Sequence, residues 1–423
     1  MRILNSLILI FVMAGAVSCG KRTGFPGIQC EFGTTFDMVR KFQLISGKDT
    51  SGSSGFSDKD GNLFVVGSAT DADGKQHWIV TRSKDKGDTW ETVDDLVSAG
   101  GQAGAVSGMI DGKGQIYVIG NLGESATKGD WMLRRSTNAG KNWSEMDKFR
   151  RGSDAVSFGL GQSMIEYIDA EGKKKYYTCG TAFEKDKDMG WLVRTSTKGD
   201  AATFDTTDDD YRLADKKRSA CMKVVLGKEH ILTFGYAMTL KDTASAIVRQ
   251  KTLAGTEWKT KDEFVVAAEK SAVIASAAAF EDKIYWVGYA MKSDDTIEWV
   301  VRQSLDDGTT WKTIDEFQLS SKKNAYARSV MVTADGTILV AGEATTSGDK
   351  GKWIVRKSSD SGKTWETFDE YTLDSSKSSG ASGLFADDFG NVFVVGYGTD
   401  SGDKSNLIVR KLGCQTGGET TTQ

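Results

Sequence analysis

Four residues at the same position of successive copies of a repeat carry side chains suited to ligand binding: Tyr236, Tyr289, Glu343 and Tyr397. Each directly follows a glycine, and two further candidates, Tyr326 and Arg328, lie in the connection that precedes one of them. A tyrosine ring combines a flat apolar face with a polar hydroxyl, so three of them beside a carboxylate could stack on a sugar or hold a peptide. The alternative is that these are unrelated amphipathic residues on the surface.

A second group of acidic residues recurs in a loop motif with the pattern Ser-x-Asp-x-Gly-x-Thr-Trp. Its clearest copies contain Ser83, Asp85, Gly87 and Trp90; Ser304, Asp306, Gly308 and Trp311; and Ser358, Asp360, Gly362 and Trp365. Short polar side chains bond the backbone of a turn, glycine permits a positive φ, and tryptophan packs between sheets. We therefore predict that these aspartates are structural rather than catalytic.

The other residues that could do chemistry form no catalytic set. The two histidines, His77 and His230, lie in different copies, so no triad or zinc cluster can be built at ordinary spacings. One arginine recurs in the third strand of most copies, next to acidic pairs on the fourth strand, which favours repeated packing or ion pairing. These arginines are Arg134, Arg194, Arg249, Arg302, Arg356 and Arg410. We assign no catalytic residue, no metal and no cofactor.

Ten of the eleven tryptophans fall in two columns of a repeat about 53 residues long, and such a repeat determines the architecture. Each copy has four short strand-like segments, and the chain contains 48 glycines and one proline, which is typical of many strands joined by turns. One glycine ends the second segment of each copy: Gly67, Gly120, Gly180, Gly235, Gly288, Gly342 and Gly396. Seven copies predict an all-β fold, a seven-bladed β-propeller of four-stranded antiparallel blades.

The seventh copy lacks a fourth strand, and the N-terminal segment supplies one. Residues Thr34–Leu44 align with Thr309–Leu319 of the fifth copy. We therefore predict that the N-terminal strand completes the last blade, which closes the ring and removes an open sheet edge.

The first 18 residues contain a positive residue, an apolar core and small residues before Cys19, the pattern of an export signal. We predict lipidation of Cys19, and the alternative is ordinary cleavage after Ala16. The predicted organisation is a signal peptide at 1–18, a lipidated tether at 19–30, the propeller at 31–414 and a disordered tail at 415–423. An exported chain permits disulfides.

Four cysteines remain if Cys19 carries lipid. On the repeat alignment Cys30 and Cys414 fall in one hairpin loop of the last blade, which predicts a disulfide between them. Cys179 and Cys221 lie in strands of adjacent blades, either as separate buried thiols or as a second bridge.

The loop motif resembles the Asp-box, or BNR repeat, of sialidases, sortilin-type receptors, xyloglucanases and photosystem II assembly factors. The resemblance covers residues 31–412 and implies a β-propeller whose Asp-box hairpins lie opposite the ligand face. Sialidases also have three arginines that grip a carboxylate, a tyrosine activated by glutamate, an acid/base aspartate and a Phe/Tyr-Arg-Ile-Pro segment. That segment is absent, because the only proline, Pro26, precedes the repeats. Residues 16–19 resemble a bacterial lipobox, and Gly20 resembles outer-membrane lipoproteins of Gram-negative bacteria.

The charge balance, 54 Lys+Arg against 58 Asp+Glu, argues against nucleic-acid binding. Clusters at Arg150–Arg151, Lys216–Arg218 and Lys322–Lys323 make the predicted ligand face the more basic one, which suits an anionic glycan or an acidic protein. We predict a monomeric, non-catalytic lipoprotein of the outer membrane, on its periplasmic or cell-surface side, that binds a glycan or an envelope protein. The alternatives are a sialidase-like glycoside hydrolase acting on surface polysaccharide, and an assembly factor for membrane complexes.

Overall fold

The computed structural model describes residues 30–125, 127–152, 156–184, 187–196 and 204–416. Every regular element in these ranges is a β-strand, which confirms the predicted all-β class. No helix among the described residues has the length and apolar character needed to cross a membrane. The predicted signal peptide, Cys19, the tether up to residue 29 and the tail from residue 417 lie outside the described residues.

Most strands belong to seven units of four, numbered 1 to 7 along the described chain. The chain begins with β1 (Cys30–Phe32) and β2 (Asp37–Phe42). Units 1 and 2 consist of β3 (Thr50–Ser57), β4 (Leu63–Thr70), β5 (Gln76–Ser83), β6 (Glu91–Val97), β7 (Gln102–Ile110), β8 (Ile116–Ser125), β9 (Lys128–Ser136) and β10 (Ser144–Phe149). Units 3 and 4 consist of β11 (Ser157–Ile168), β12 (Lys174–Glu184), β13 (Lys187–Thr195), β14 (Thr206–Tyr211), β15 (Ser219–Leu226), β16 (His230–Met238), β17 (Ala244–Thr252) and β18 (Lys259–Phe264).

Units 5 and 6 consist of β19 (Ala272–Phe280), β20 (Lys283–Met291), β21 (Ile297–Ser304), β22 (Lys312–Phe317), β23 (Ala325–Val332), β24 (Ile338–Thr345), β25 (Gly351–Ser358) and β26 (Glu366–Tyr371). Unit 7 consists of β27 (Ser379–Ala386), β28 (Val392–Thr399), β29 (Ser405–Leu412) and the early strand β2, and β30 (Cys414–Thr416) ends the described chain.

Units 1, 4, 5, 6 and 7 are separate four-stranded antiparallel sheets, whereas units 2 and 3 share one eight-stranded sheet. The join is short, because only Ser157 and Phe158 of β11 pair in parallel with Lys128 and Gly129 of β9. It forms because β8, β9 and β11 are longer than most of their counterparts. The expectation of seven separate sheets is therefore met by five, and the other two units are hydrogen-bonded to each other.

The N-terminal strand completes unit 7, as predicted. Strand β2 pairs antiparallel with β29, so that Met38 lies opposite Arg410 and Phe42 opposite Leu407. Strands β1 and β30 form a separate two-stranded ladder. Residues 415 and 416, predicted to begin a disordered tail, belong to β30 because they pair with the segment at Cys30.

The first strands of the units contact one another in chain order, from β3 to β7, β11, β15, β19, β23 and β27. Strand β27 also contacts β3, so the series of contacts returns to its start. Buried apolar side chains from neighbouring units fill the junctions. Small sheets thus exclude water from both of their faces.

A bulge in every first strand explains the repeated glycine. In β23 the extra residue is Arg328, and a Cβ at Gly342 would lie 2.0 Å from the carbonyl oxygen of Tyr326. The equivalent glycine of each other unit faces a first-strand carbonyl oxygen at a similar distance, so only glycine fits. The prediction that this glycine ends the second strand is wrong, because the ladder continues past the bulge. Strand β24 runs on to Thr345, and Glu343 is a strand residue.

The buried tryptophan column joins successive units. We call the repeated glycine of each second strand, which lies opposite the first-strand bulge, the column glycine. A Cβ on the column glycine of units 2, 3, 4, 6 or 7 would lie within 3.0 Å of an indole from the preceding unit. The tryptophans concerned are fully buried: Trp78, Trp131, Trp191, Trp299 and Trp353. Unit 4 carries Ala246 at this position, and Trp286, the tryptophan outside the two columns, packs into the same core cluster as Ala246.

Ion pairs form a second link between units, because the third-strand arginine of one unit binds a fourth-strand aspartate of the preceding unit. The pairs are Arg134–Asp94, Arg194–Asp147, Arg249–Asp209, Arg302–Asp262, Arg356–Asp315 and Arg410–Asp369. Arg356 donates through Nε and Nη2 to both carboxylate oxygens of Asp315, at 2.7 and 2.8 Å. The predicted ion-pairing role of the arginine column is confirmed.

The junction between units 7 and 1 lacks this ion pair. Arg40 occupies the aspartate position of unit 7, and Thr81 occupies the arginine position of unit 1. The Arg40 guanidinium lies over the rings of Phe42 and Trp90, 4.4 and 5.0 Å from their centroids. Burial lowers the pKa of Arg40 to about 10. A cation–π contact therefore takes the place of the ion pair where the chain closes.

A disulfide joins Cys179 of unit 3 to Cys221 of unit 4, and their Cα atoms are 5.7 Å apart. The sequence left this pairing open, and the structure decides for a bridge between buried residues. Cys414 is also disulfide-bonded. The side chain of Cys30 lies outside the described part of the chain, so the Cys30–Cys414 bridge stays a prediction.

Candidate functional site

The six residues predicted to bind a ligand lie in units 4 to 7. We call them the tyrosine–glutamate cluster: Tyr236, Tyr289, Tyr326, Arg328, Glu343 and Tyr397. Four of them occupy one register position of β16, β20, β24 and β28, directly after the column glycine. The other two come from β23, where Tyr326 lies opposite Glu343 and Arg328 is the bulged residue. All six side chains are partly buried.

Glu343 lies at the centre of the cluster and accepts two hydrogen bonds. Nη2 of Arg328 donates to one carboxylate oxygen at 3.2 Å, and the hydroxyl of Tyr397 donates to the other at 3.1 Å. Gly380 makes room for this pair, because a Cβ there would lie 2.7 Å from Glu343 Oε2 and 2.8 Å from a ring carbon of Tyr397. Gly380 is not among the site residues predicted from the sequence, because nothing in the repeat pattern distinguishes it from other strand glycines.

The aromatic rings enclose the guanidinium of Arg328. Tyr289 and Tyr326 meet edge to face with centroids 5.1 Å apart, and the guanidinium carbon lies 5.0 Å from the Tyr326 centroid and 5.6 Å from that of Tyr289. Nη1 of Arg328 is buried and has no hydrogen-bond partner among the described residues. An unsatisfied donor of this kind is ready to bind an oxygen of a ligand.

The four tyrosines of the cluster are held in their neutral form. Burial raises the pKa of Tyr236, Tyr289 and Tyr326 above the usual value near 10. Burial also raises the pKa of Tyr397, and the Glu343 carboxylate raises it further. Tyr289 adds to the increase in the pKa of Tyr236, and Arg218 opposes it. The cluster therefore contains one cation, one anion and four neutral hydroxyls.

The basic clusters expected to give the ligand face a positive charge are partly neutralised by neighbouring acids. Arg150 pairs with Asp130 at 2.8 Å, and Arg151 pairs with Asp210 at 2.5 Å. Lys217 pairs with Asp242 at 2.6 Å. Lys323 pairs with Asp349. These ion pairs offset part of the positive charge of the clusters, and a basic ligand face stays a prediction.

The Asp-box residues bond to their own loops. Ser83 donates to Asp85 at 2.7 Å and accepts from the Gly87 backbone at 2.8 Å, and Asp85 accepts from the Thr89 backbone at 2.8 Å. The hydroxyl and backbone of Thr89 lower the pKa of Asp85 to about 2. The same bonds occur in the loops of Asp306 and Asp360. Such ionised, fully bonded carboxylates serve the turn.

The described residues contain no group of three or more His, Cys, Asp or Glu side chains placed to hold a metal ion. His77 lies between two carboxylates, with Nδ1 2.5 Å from Asp95 and Nε2 3.2 Å from Asp71. His230 contacts Asp307 at 2.7 Å. These contacts hold loops and strand ends together. His77 belongs to unit 1, outside units 4 to 7, and His230 lies at the start of β16, six residues before Tyr236.

No protein-family model and no curated protein matches the sequence. Solved structures match it in fold. An ulvan lyase, reported as a new family of polysaccharide lyase and bound to GlcA(1-4)Rha3S, has a TM-score of 0.54 at 12% identity, over 90% of this chain and 94% of its own. A Dyadobacter fermentans protein of unknown function has a TM-score of 0.50 at 12% identity, over 90% and 99%.

An α-L-arabinofuranosidase of Fusarium graminearum, in complex with an iminosugar inhibitor, has a TM-score of 0.47 at 12% identity, over 92% of this chain and 98% of its own. At 12% identity the matches with TM-scores of 0.50 and 0.54 show the fold alone. The match to the ulvan lyase supports a β-propeller fold for this chain.

Proposed function

We propose that the seven units are the blades of a seven-bladed β-propeller of the Asp-box type. The closed series of contacts between first strands supports this arrangement. The repeated arginine–aspartate pairs also support it, because each joins a unit to the next. The tyrosine–glutamate cluster then lies at the inner rim of one face, where the bulged first strands and the column glycines meet.

We further propose that the chain is a glycoside hydrolase that acts on polysaccharide at this cluster. The observation that carries the proposal is the hydrogen bond from the Tyr397 hydroxyl to Glu343, inside a wall of tyrosine rings. Tyrosine rings offer faces on which sugar rings can stack. The carboxylate of Glu343 can take the hydroxyl proton as the Tyr397 oxygen bonds to the anomeric carbon and the glycosidic bond breaks, with the leaving oxygen protonated by water. A second water then hydrolyses the glycosyl–tyrosine bond and Glu343 returns the proton to Tyr397, so that tyrosine is the nucleophile, a type used by some retaining glycosidases.

Arg328 has a positioning role in this scheme. Its Nη2 holds one carboxylate oxygen of Glu343, which leaves the other oxygen directed at Tyr397. A carboxylate fixed in this way is already oriented towards the hydroxyl, so no free energy is spent on reorienting it before proton transfer.

A second candidate function is saccharide binding without catalysis. Glu343 is the only carboxylate among the seven residues that follow the column glycines: Ser68, Asn121, Thr181, Tyr236, Tyr289, Glu343 and Tyr397. The common hydrolytic mechanism uses two carboxyl groups separated by roughly 5–9.5 Å. A site with one carboxylate suits binding, which requires only stacking and hydrogen bonds.

One experiment separates the two functions. The purified protein is incubated with a panel of soluble polysaccharides while binding and the release of reducing ends are both measured. Under the hydrolase proposal, Tyr397→Phe and Glu343→Gln lower kcat at least about 100-fold, the scale of a lost nucleophile or base. The controls Tyr371→Phe and Glu370→Gln, in β26, retain activity. Binding without release, weakened about 2- to 10-fold by Tyr397→Phe, supports the second function. No binding and no release rejects both.

We also propose that the protein is anchored by lipid on Cys19 at the outer membrane, on its periplasmic or cell-surface side. The proposal rests on the signal and lipobox pattern of residues 1–19. Metabolic labelling with a palmitate analogue should mark the wild-type protein, and Cys19→Ala should abolish the label. Equal labelling of the variant would reject lipidation at this residue.

A further inference from the structure

The charges of the tyrosine–glutamate cluster cancel. Its only cation, Arg328, is bonded to its only anion, Glu343, at 3.2 Å. The side chains of this pair are 16% and 23% exposed, so water screens them only in part. Its four tyrosines are neutral, because burial raises each pKa above its usual value. An anionic ligand would therefore meet no net positive charge in the cluster.

The free donor of Arg328 does not change this conclusion. An anion bound to Nη1 would lie on the same guanidinium as Glu343, and two unit charges roughly 5 Å apart repel each other appreciably at a partly buried site. A neutral hydroxyl or ring oxygen at Nη1 would satisfy the donor without this repulsion. The arrangement favours an uncharged acceptor.

The charge of Arg218 acts on Tyr236 and opposes the increase in its pKa that burial causes. Arg218 lines a surface pocket with Lys217, Met238 and Asp242. Lys217 is bonded to Asp242 in that pocket. Replacement of Arg218 therefore tests whether an acidic ligand binds beside Tyr236.

We infer that the tyrosine–glutamate cluster takes an uncharged saccharide, a neutral hexose or pentose unit whose ring stacks on tyrosine and whose oxygen accepts from Nη1 of Arg328. This inference rests on the proposed carbohydrate site and adds the class of its ligand. It differs from the expectation of an anionic glycan that the basic clusters of the sequence suggested.

The test is calorimetric titration of the full-length protein with matched probes. Galacto- and arabino-oligosaccharides serve as neutral probes, and oligogalacturonides and sulfated galacto-oligosaccharides serve as acidic probes, each at 50 and 500 mM NaCl. We expect a neutral probe to bind at least 10-fold more tightly than its acidic counterpart. We also expect its Kd to change less than 2-fold with salt, because no ionic contact forms.

Two variants sharpen the test. Glu343→Gln releases the Arg328 charge, so the acidic probe should gain at least 10-fold in affinity, whereas Glu370→Gln should leave both affinities unchanged. A wild-type preference for acidic probes that weakens with salt or is lost in Arg218→Gln overturns the inference but leaves the carbohydrate site in place. Failure of every probe to bind overturns both. The wild-type salt series decides the question even where Glu343→Gln does not fold.

Discussion

Lys223 should destabilise the folded protein, and its replacement by methionine should stabilise it. Lys223 lies in β15 opposite Phe234, which belongs to the core cluster between units 4 and 5. Its side chain is fully buried, and burial alone lowers the pKa from 10.5 to about 7. Units 1, 2, 3, 5 and 6 carry serine at the equivalent position: Ser54, Ser107, Ser163, Ser276 and Ser329. No ion pair to Lys223 occurs among the described residues.

The size of the effect follows from the two pKa values. Below pH 7 the lysine is protonated in both the folded and the unfolded state, so the full cost of burying the charge is present. A shift from 10.5 to about 7 corresponds to about 5 kcal/mol, at 1.36 kcal/mol per unit. Between pH 7 and 10.5 the unfolded state binds more protons, so the stability of the wild type rises with pH. At pH 9 about 2 kcal/mol remains.

Urea unfolding followed by tryptophan fluorescence at pH 6, 7.5 and 9 measures this difference. Lys223→Met should be more stable than the wild type by several kcal/mol at pH 6, and the gap should shrink towards pH 9. Lys251→Met is the matched control, because Lys251 is equally buried but bonded to Asp208 at 2.5 Å. It should lose stability, since it leaves a carboxylate unpaired. Parallel pH curves for Lys223→Met and the wild type would refute the reasoning.

Three further predictions concern the links between units, and urea unfolding with circular dichroism measures each of them. Gly342→Ala should lower the free energy of unfolding by about 3 kcal/mol, because its Cβ would meet a carbonyl oxygen at 2.0 Å. The control Gly348→Ala, with no atom nearer than 3.8 Å, should change the free energy of unfolding by less than about 0.5 kcal/mol. Equal losses of stability in the two variants would contradict the role of the bulge. Arg356→Met should cost about 3–5 kcal/mol by leaving Asp315 buried without its partner, and a cost below about 1 kcal/mol would show that the pair contributes little. Cys179→Ala should cost roughly 4 kcal/mol, as expected for a bridge that spans 42 residues, and unchanged stability would argue against the bridge.

The repeat pattern predicted the parts of the fold that depend on periodicity. The column glycines gave the register of each second strand, and the position after them brought Tyr289, Glu343 and Tyr397 into one cluster. The alignment of the N-terminal segment with the fifth copy predicted the pairing of β2 with β29. All copies place equivalent residues at equivalent positions, so the strand positions of one copy predict those of the others.

Features that depend on strand register, on the position of turns or on distances between units were not predictable from the pattern. The bulge at Arg328 depends on the register between two strands, which the sequence does not display. The partners of the basic clusters, such as Asp242 for Lys217, depend on where hairpin turns lie relative to loops. The Cys179–Cys221 bridge depends on a distance of 5.7 Å between Cα atoms of neighbouring units. The joining of units 2 and 3 depends on strand length, which propensity alone defines poorly.

Strand β2 is synthesised long before its partner β29, because the hydrogen bond that follows this pairing, from Gln43 to Ser405, spans 362 residues. Until β29 has emerged, β2 presents an unpaired edge that can capture strands of other chains. The last step of folding is then the closure of a very long loop, which is slow. Once made, the closure resists separation, since opening the circle between its two ends means stripping a strand from a hydrogen-bonded sheet rather than parting two packed surfaces.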